Sequence, residues 1–548
     1  MNIIERHLQL CLNKLSKWAD ENGFKFSRSK TVCMHFCQLR KFHLDPVLTL
    51  NNIEIPVVKE TKFLGLIFDS KLSFIPHIKY LKTKCTKALN LLKVVSRFDW
   101  GADRAVLLRL YRALIRSKLD YGSIVYGSAR KSYIQMLDSI HHQGLRISTG
   151  AFRTSPVESL YVESNEESLY RRRERLTLQY TFKLRSTPTN PTFDTVFNPR
   201  YSHIFAERPL AIPTFGIRVQ FLIDDMGIDM DGIKTYRIPD NPIWNMVAPT
   251  VLFDLKVGKK SDINPIDFQG RFHVIQDRYR DHQFIYTDGS KDGNRVGCAI
   301  VSGRQYLMVR LPDAASIYTA ELHAICVAME YILGTDNDSF MICVDSMSCL
   351  QAIESLNIDN PIILNILELY GTLKTKQKNI VLCWVPSHVG IRGNELADDF
   401  AKDALNENIT YIALPFSDYS PAIKEYVRMK WSDFWSLQTE NKLHSVQPNL
   451  GIWPKSCRKS RREEMVLCRI RIGHAYTTHR YLLAGEDPSE CISCQERLTV
   501  SHLLVHCSEY IHIRNRFYEV DSVQELMDTV EPSLIIAFLK EAGLYFLI

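Results

Sequence analysis

Apolar residues recur at helical spacing at the start of the chain. Ile4, Leu8, Leu10, Cys11, Leu15 and Trp18 fall on one stripe, which Asn22-Gly23 terminates. Apolar and β-branched runs then predict strands at 25–27 and 31–36 and a hairpin over 48–55 that turns on Asn51-Asn52. They also predict a buried strand at 62–68 with Gly65 at a close backbone approach. From 78 to about 185 the period is helical, with stripes through Leu81, Ala88, Leu91, Leu92 and Val95 and through Leu107, Leu110, Tyr111, Leu114 and Ile115. Nine prolines between 186 and 280 predict a poorly packed connector. The pattern then sharpens: strands at 283–287, 296–301 and 305–310, a helix at 317–333, a strand at 339–344, helices at 346–356 and 361–373, a strand at 380–385 and a helix at 394–405. A hairpin-like start followed by alternation predicts a mixed five-stranded sheet with helices on its faces over 281–410. Residues 411–430 read as a linker, and 431–548 as helical.

Charge divides the same way. Residues 281–410 hold 9 basic against 17 acidic side chains, a net of −8, and residues 1–280 hold 43 against 27, a net of +16. A basic half beside an acidic module points to a polyanionic partner held by one and cut by the other. No apolar run approaches the roughly 18 residues of a membrane span, and the opening residues turn polar at once. The expectation is an intracellular chain, nuclear or cytoplasmic, with no membrane partner. Its 14 cysteines are then reduced, and paired ones lean towards metal.

Four acids carry the candidate chemistry. Asp288 ends an apolar strand and is followed by Gly289-Ser290; Asp345 ends another; Glu321 and Asp398 lie on helices. Neighbouring strand ends lie about 5 Å apart, so two such acids can share an ion. Hard divalent cations want oxygen ligands. Two of them about 4 Å apart can activate a water and stabilise a departing phosphodiester oxygen. No serine-hydrolase elbow or GxxxxGK[ST] phosphate loop competes.

The order Thr287-Asp288-Gly289-Ser290, Thr319-Ala320-Glu321-Leu322, Val344-Asp345-Ser346 and Trp384 to Asp398 (WVPSHVGIRGNELAD) resembles the type 1 ribonuclease H domain. The form carried by jockey-like non-LTR retrotransposon polyproteins is the most similar. The resemblance covers 281–410. It implies an RNase H-like fold and cleavage of the RNA strand of an RNA–DNA hybrid, with 3′-hydroxyl and 5′-phosphate products. It also implies two Mg²⁺ (or Mn²⁺) ions on Asp288, Glu321, Asp345 and Asp398. His388 matches the histidine that moves protons or helps product leave. Asp399 is the adjacent competitor for Asp398; the family's spacing selects Asp398. Ser290 and Asn394 are candidate contacts to the hybrid's sugars. Two other readings stand beside this one: a catalytically silent, nucleic-acid-binding remnant, and a DNA transferase on the same fold, against which the His388-to-Asp398 segment argues.

The flanks resemble parts of the same polyproteins. Residues 22–36 and Lys62-Phe63-Leu64-Gly65-Leu66 resemble a late reverse-transcriptase palm and its primer grip, and the basic helices after them resemble a thumb. The paired acids of a polymerase site are not found ahead of Asn22, so no DNA synthesis is expected and the chain reads as a truncated fragment. Near the carboxyl end, Cys491, Cys494, His502 and Cys507 have zinc-ligand spacing, with His506 a rival for the fourth place. The motif resembles the short zinc-binding segment of these polyproteins. The expected organisation is a palm remnant (1–75), a thumb-like region (76–185), a connector (186–280), the nuclease (281–410) and a helical, zinc-binding tail (431–548).

Overall fold

The computed structural model describes residues 3–27, 29–37, 44–200, 202–207, 212–258, 260–453 and 460–548. Arg28, within the palm-like segment, lies outside them. The chain forms two compact units. One comprises Met1–Leu176, His203–Phe215 and Val427–Ile548; the other comprises Thr177–Ser202 and Gly216–Tyr426.

The first unit opens with helix α1 (Ile3–Glu21), whose apolar stripe faces solvent: Ala19 is its one buried residue among those described. Of the strands expected at 25–27 and 31–36, only Cys33 pairs, in a single bridge to Val57. The hairpin of β1 (Thr49–Leu50) and β2 (Ile53–Glu54) turns as expected on Asn51 and Asn52, both at positive φ. The run 62–68 is not one buried strand. It folds over at Leu64-Gly65 into β3 (Glu60–Phe63) and β4 (Leu66–Asp69), because Gly65 adopts φ +85° and leaves room for the Tyr121 ring. Helix α2 (Ile75–Val95) buries Ile78, Leu81, Cys85, Leu89 and Leu92. These meet Leu107, Tyr111 and Leu145, and also Trp431, Trp435, Leu443, Cys468 and Ile472, in one core. The carboxyl-terminal helices therefore share a core with the 76–176 helices. Ion pairs and a hydrogen bond reinforce the join: Glu163 accepts from Arg104 (3.2 Å) and Arg471, and Glu464 accepts from the Arg104 backbone N–H (2.8 Å).

The second unit is built on a sheet of β5 (Thr250–Leu252), β6 (Gln283–Asp292), β7 (Arg295–Ser302), β8 (Gln305–Leu311), β9 (Ser339–Val344) and β10 (Asn379–Trp384), in the order β5-β10-β9-β6-β7-β8. The five strands expected within 281–410 are all present, and a sixth joins the sheet from outside that stretch. The sixth, β5, is three residues long and pairs parallel with β10, so only a partner 130 residues away makes it a strand. β6, β7 and β8 form an antiparallel meander, while β6, β9 and β10 run parallel. The helices that pack on this sheet are α3 (Pro265–Arg278), α4 (Ile317–Leu333), α5 (Met347–Glu354), α6 (Pro361–Thr375) and α7 (Arg392–Asp403).

Strand alternation sorts the core. Phe340, Ile342 and Val344 face α4, α5 and α6, while Met341 and Cys343 face α3 through Phe268, Phe272 and Ile275. Each of those three α3 side chains, fully buried, contributes about 1.5–3 kcal/mol. The stretch expected as a poorly packed connector thus supplies a strand and a core helix. Residues 411–430, expected as a linker, are also held: Leu414 bridges Ile233, and Leu414, Tyr419, Ile423 and Tyr426 are buried.

Candidate active site

The centre of the sheet places the acids. β6 and β9 run parallel with Thr287 opposite Val344, so Asp288 and Asp345 emerge one step further along adjacent strands. Trp384 at the end of β10 donates its indole N–H to the Asp345 carbonyl (2.9 Å), which fixes the backbone there. Glu321 comes from the second turn of α4, and Gly289 lets that helix approach. A Cβ on Gly289 would stand 2.9 Å from the Glu321 nitrogen. Carboxylate oxygens of Asp288, Glu321 and Asp345 all lie within 4.8 Å of one another.

Two of the trio are buried, Asp288 at 4% and Glu321 at 8% exposed, and Asp345 is half-buried. Burial, with the charges of Asp345 and Asp398 beside it, pushes Asp288 up to about 8. Burial and the neighbouring carboxylates drive Glu321 well above the usual range despite a bond from the Gly289 N–H, and Asp345 is raised, first by burial. One Glu321 oxygen, Oε2, has no partner. Three hard oxygen donors that repel one another, one of them unsatisfied, fit a divalent cation.

Asp398 lies on α7 with its side chain 16% exposed, while Asp399 is exposed. Lys402 Nζ, one turn on, donates to Asp398 Oδ2 (2.7 Å), and His388 Nδ1 stands 3.6 Å from the same atom. His388 is solvent-exposed on a loop where it adopts φ +50° and Gly390 φ +81°. The loop is braced twice. Glu395 accepts from the Gly390 N–H (3.0 Å), and Gln269 of α3 donates to the Val389 carbonyl (2.8 Å). Ser290 is half-buried on β6 opposite Gly297. Asn394 is 2% exposed with its Oδ1 unpartnered.

The sequence reading missed Glu395, Lys402 and Gln269. Helical spacing (three before and four after Asp398) could have flagged the first two; nothing local points to Gln269.

In the first unit, Cys491, Cys494, His502 and Cys507 offer ligand atoms within 4.8 Å of one another. The tight turn is closed by Gln495 N–H to the Cys491 carbonyl (2.8 Å) and Cys491 N–H to the Glu496 carbonyl (2.7 Å). Cys507 Sγ lies 3.7 Å from Cys491 Sγ and 3.8 Å from Cys494 Sγ. His502 is buried; its Nδ1 meets Glu496 (3.0 Å) and its Nε2 has no partner. That is how an outer carboxylate orients a ligating imidazole. His506 is exposed and lies outside the cluster. Hydrogen bonding from Ser508 lowers the Cys494 thiol, while burial raises Cys507 to about 11.

Residues 280–406 match the family described as RNase H. The chain is 30% identical over 162 residues to a retrovirus-related Pol polyprotein from the type-1 retrotransposable element R1 of Bradysia coprophila, covering 28% of this chain and 16% of that one. It is 26% identical over 167 residues to a Pol polyprotein of the same description from Nasonia vitripennis, covering 29% and 49%. It is 26% identical over 158 residues to the RNA-directed DNA polymerase from mobile element jockey of Drosophila melanogaster, covering 28% and 17%. The matched portion is thus half or less of each relative's length.

Proposed function

We propose that this chain, which carries an RNase H domain and is homologous to non-LTR retrotransposon polyproteins, hydrolyses the RNA strand of RNA–DNA hybrids with the aid of divalent cations. The observation that carries the reading is the convergence of Asp288, Glu321 and Asp345 within 4.8 Å of one another, two of them buried, with an orphaned oxygen on Glu321. With Asp398 these would hold Mg²⁺ or Mn²⁺, which when bound supply an activated water and charge neutralisation at the scissile phosphodiester. The residues of the chain do the rest. The sheet holds Asp288 and Asp345 at fixed separation. His388, exposed beside Asp398, is placed to carry protons between the site and solvent. Lys402 balances Asp398 until substrate and cations arrive. Ser290 supplies a hydroxyl, and Asn394 an unpaired amide oxygen, toward the hybrid. Selection of the RNA strand rests on 2′-hydroxyl and minor-groove contacts rather than base edges.

Holding the polyanion falls to the basic first half. α2 alone carries five lysines (Lys79, Lys82, Lys84, Lys87 and Lys93) and no acid. Such contacts are to phosphates and therefore salt-sensitive. The Cys491, Cys494, His502 and Cys507 cluster would take a structural Zn²⁺, since four protein ligands leave no open position.

Labelled hybrid with Mg²⁺, given to the full chain and to Asp345→Asn, tests the nuclease. Cleavage by the wild type that disappears in the variant is expected. Binding without cleavage by the wild type refutes the nuclease and leaves the silent, nucleic-acid-binding remnant.

A further inference from the structure

Glu321 is the one acid of the trio whose position depends on a helix rather than on the sheet. Its carboxylate accepts from the Gly289 N–H, and its other oxygen is free, so the side chain is not locked by its own bonds. Where it sits is set by where the first turn of α4 is anchored.

That anchor comes from downstream of the region matching RNase H. Ser316 is the N-cap of α4, and its hydroxyl oxygen accepts from the Thr319 N–H (3.1 Å). Ser316 is itself gripped by Asp418. One carboxylate oxygen accepts from the Ser316 hydroxyl (3.0 Å), the other from the Ser316 backbone N–H (3.3 Å). Asp418 is 6% exposed, and its charge sits at the amino end of a 17-residue helix, where the helix dipole favours an anion. Lys291, from the end of β6, donates to the Ala315 carbonyl (2.8 Å) and completes the clamp.

The segment that carries Asp418 is itself fixed. The Thr410 N–H donates to the Arg310 carbonyl (2.8 Å). Leu414 exchanges bonds with Gly232 (2.8 Å) and Lys234 (2.7 Å). Tyr419 packs on Phe182 with ring centroids 5.4 Å apart. On the other side, the close approach at Gly289 leaves α4 no room to move inward.

We propose that Asp418 is a positioning residue for the nuclease site: it pins the first turn of α4 and thereby sets Glu321 against Asp288 and Asp345. The inference rests on the nuclease reading and extends its machinery past residue 406. Asp418 touches neither cation nor hybrid. Its loss therefore loosens the cation site without altering the hybrid-binding surface.

The test compares the full-length wild type with Asp418→Asn, which keeps the shape and removes the charge. The Mg²⁺ concentration for half-maximal cleavage is expected to rise about tenfold, at the low end for outer partners of a metal site. KM for hybrid should stay within about twofold, and saturating Mg²⁺ should restore most of kcat. A merely structural loss would lower the active fraction and leave the Mg²⁺ midpoint in place, and that result overturns the proposal. Hydrogen exchange should quicken at residues 317–321 and stay slow in β9. If Asp418→Asn loses protection throughout the unit, Ser316→Ala replaces it with the same expectations. A wild type that cleaves no hybrid refutes the nuclease reading, and titration with Mn²⁺ alone, followed by electron paramagnetic resonance, then decides this one. About tenfold weaker Mn²⁺ binding by the variant supports the anchor, equal binding overturns it, and no Mn²⁺ binding by the wild type overturns both.

Discussion

Replacing Asp288 by Asn removes one charge from a place where three carboxylates crowd together. In the folded chain Asp288 titrates at about 8, against an ordinary 3.8. At about 1.36 kcal/mol per unit, the four-unit gap sets a ceiling of about 6 kcal/mol between its protonated and ionised forms. The proton is shared with Asp345, so the two carboxylates divide that cost, and water at the site's mouth relaxes the charge. About 2 kcal/mol is therefore expected from the single change. The direction follows from linkage. The folded-state pKa lies above the unfolded one, so the favourable contribution of the protonated acid is whole below about pH 4. It is lost as pH rises through about 8.

With chelator present, the variant should match wild type at pH 4 and be the more stable protein at pH 8.5. For a unit of this size about 2 kcal/mol moves Tm by roughly 4–8 °C. With saturating Mg²⁺ the order reverses, because wild type gains the cation and the variant does not. Thermal scans of the full chain at both pH values, with chelator and with Mg²⁺, read this directly from the metal-sensitive transition. A variant no more stable than wild type at pH 8.5 in chelator would sink the claim that carboxylate repulsion prepares the site for cations.

Two further outcomes follow from side chains that compete for one role. Asp398→Asn should cut hybrid cleavage at least about 100-fold, on the scale of losing a group that acts in the reaction, whereas exposed Asp399→Asn should stay within about twofold; equal losses would mean the wrong face of α7 has been assigned. Cys507→Ser should abolish stoichiometric zinc in protein purified without chelator and His506→Ala should retain it, measured by elemental analysis; zinc kept by Cys507→Ser would refute the ligand set.

The nuclease-like core was legible because its elements are long and periodic. β9 alternates Phe340, Ile342 and Val344 against Met341 and Cys343, and α4 opens on the Ser316 cap. β5 was not legible, since three residues after Pro249 gain strand character only by pairing with Val381 to Cys383. The 62–68 run misled because its β-propensity is uniform while the turn is imposed at Leu64-Gly65 by backbone sign alone. At the site, of the four acids singled out, the fold brings Asp288, Glu321 and Asp345 within 4.8 Å of one another, while Asp398 groups with His388 and Glu395. Asp398, chosen over Asp399 by the resemblance, is half-buried where Asp399 is exposed, whereas spacing alone left Cys507 and His506 open, and only Cys507 lies in the cluster. Asp418 and Gln269 were invisible because their partners, Ser316 and Val389, are more than 100 residues away.

The order in which the chain is written matters for its birth. The first unit leaves off at Leu176 and resumes for good only at Val427, about 250 residues later. At roughly 5–20 residues per second on the ribosome, Leu89, Leu107 and Tyr111 wait some tens of seconds for Trp435, Leu443 and Ile472 to emerge and close over them. The sheet between Thr250 and Trp384 has all its strands made about 50 residues before Trp435 and about 90 before Ile472. The nuclease-like unit is thus free to fold first, while the basic helices that precede it in the message are finished last. During that interval their uncovered apolar faces are the nascent chain's point of exposure to holdase chaperones and to aggregation.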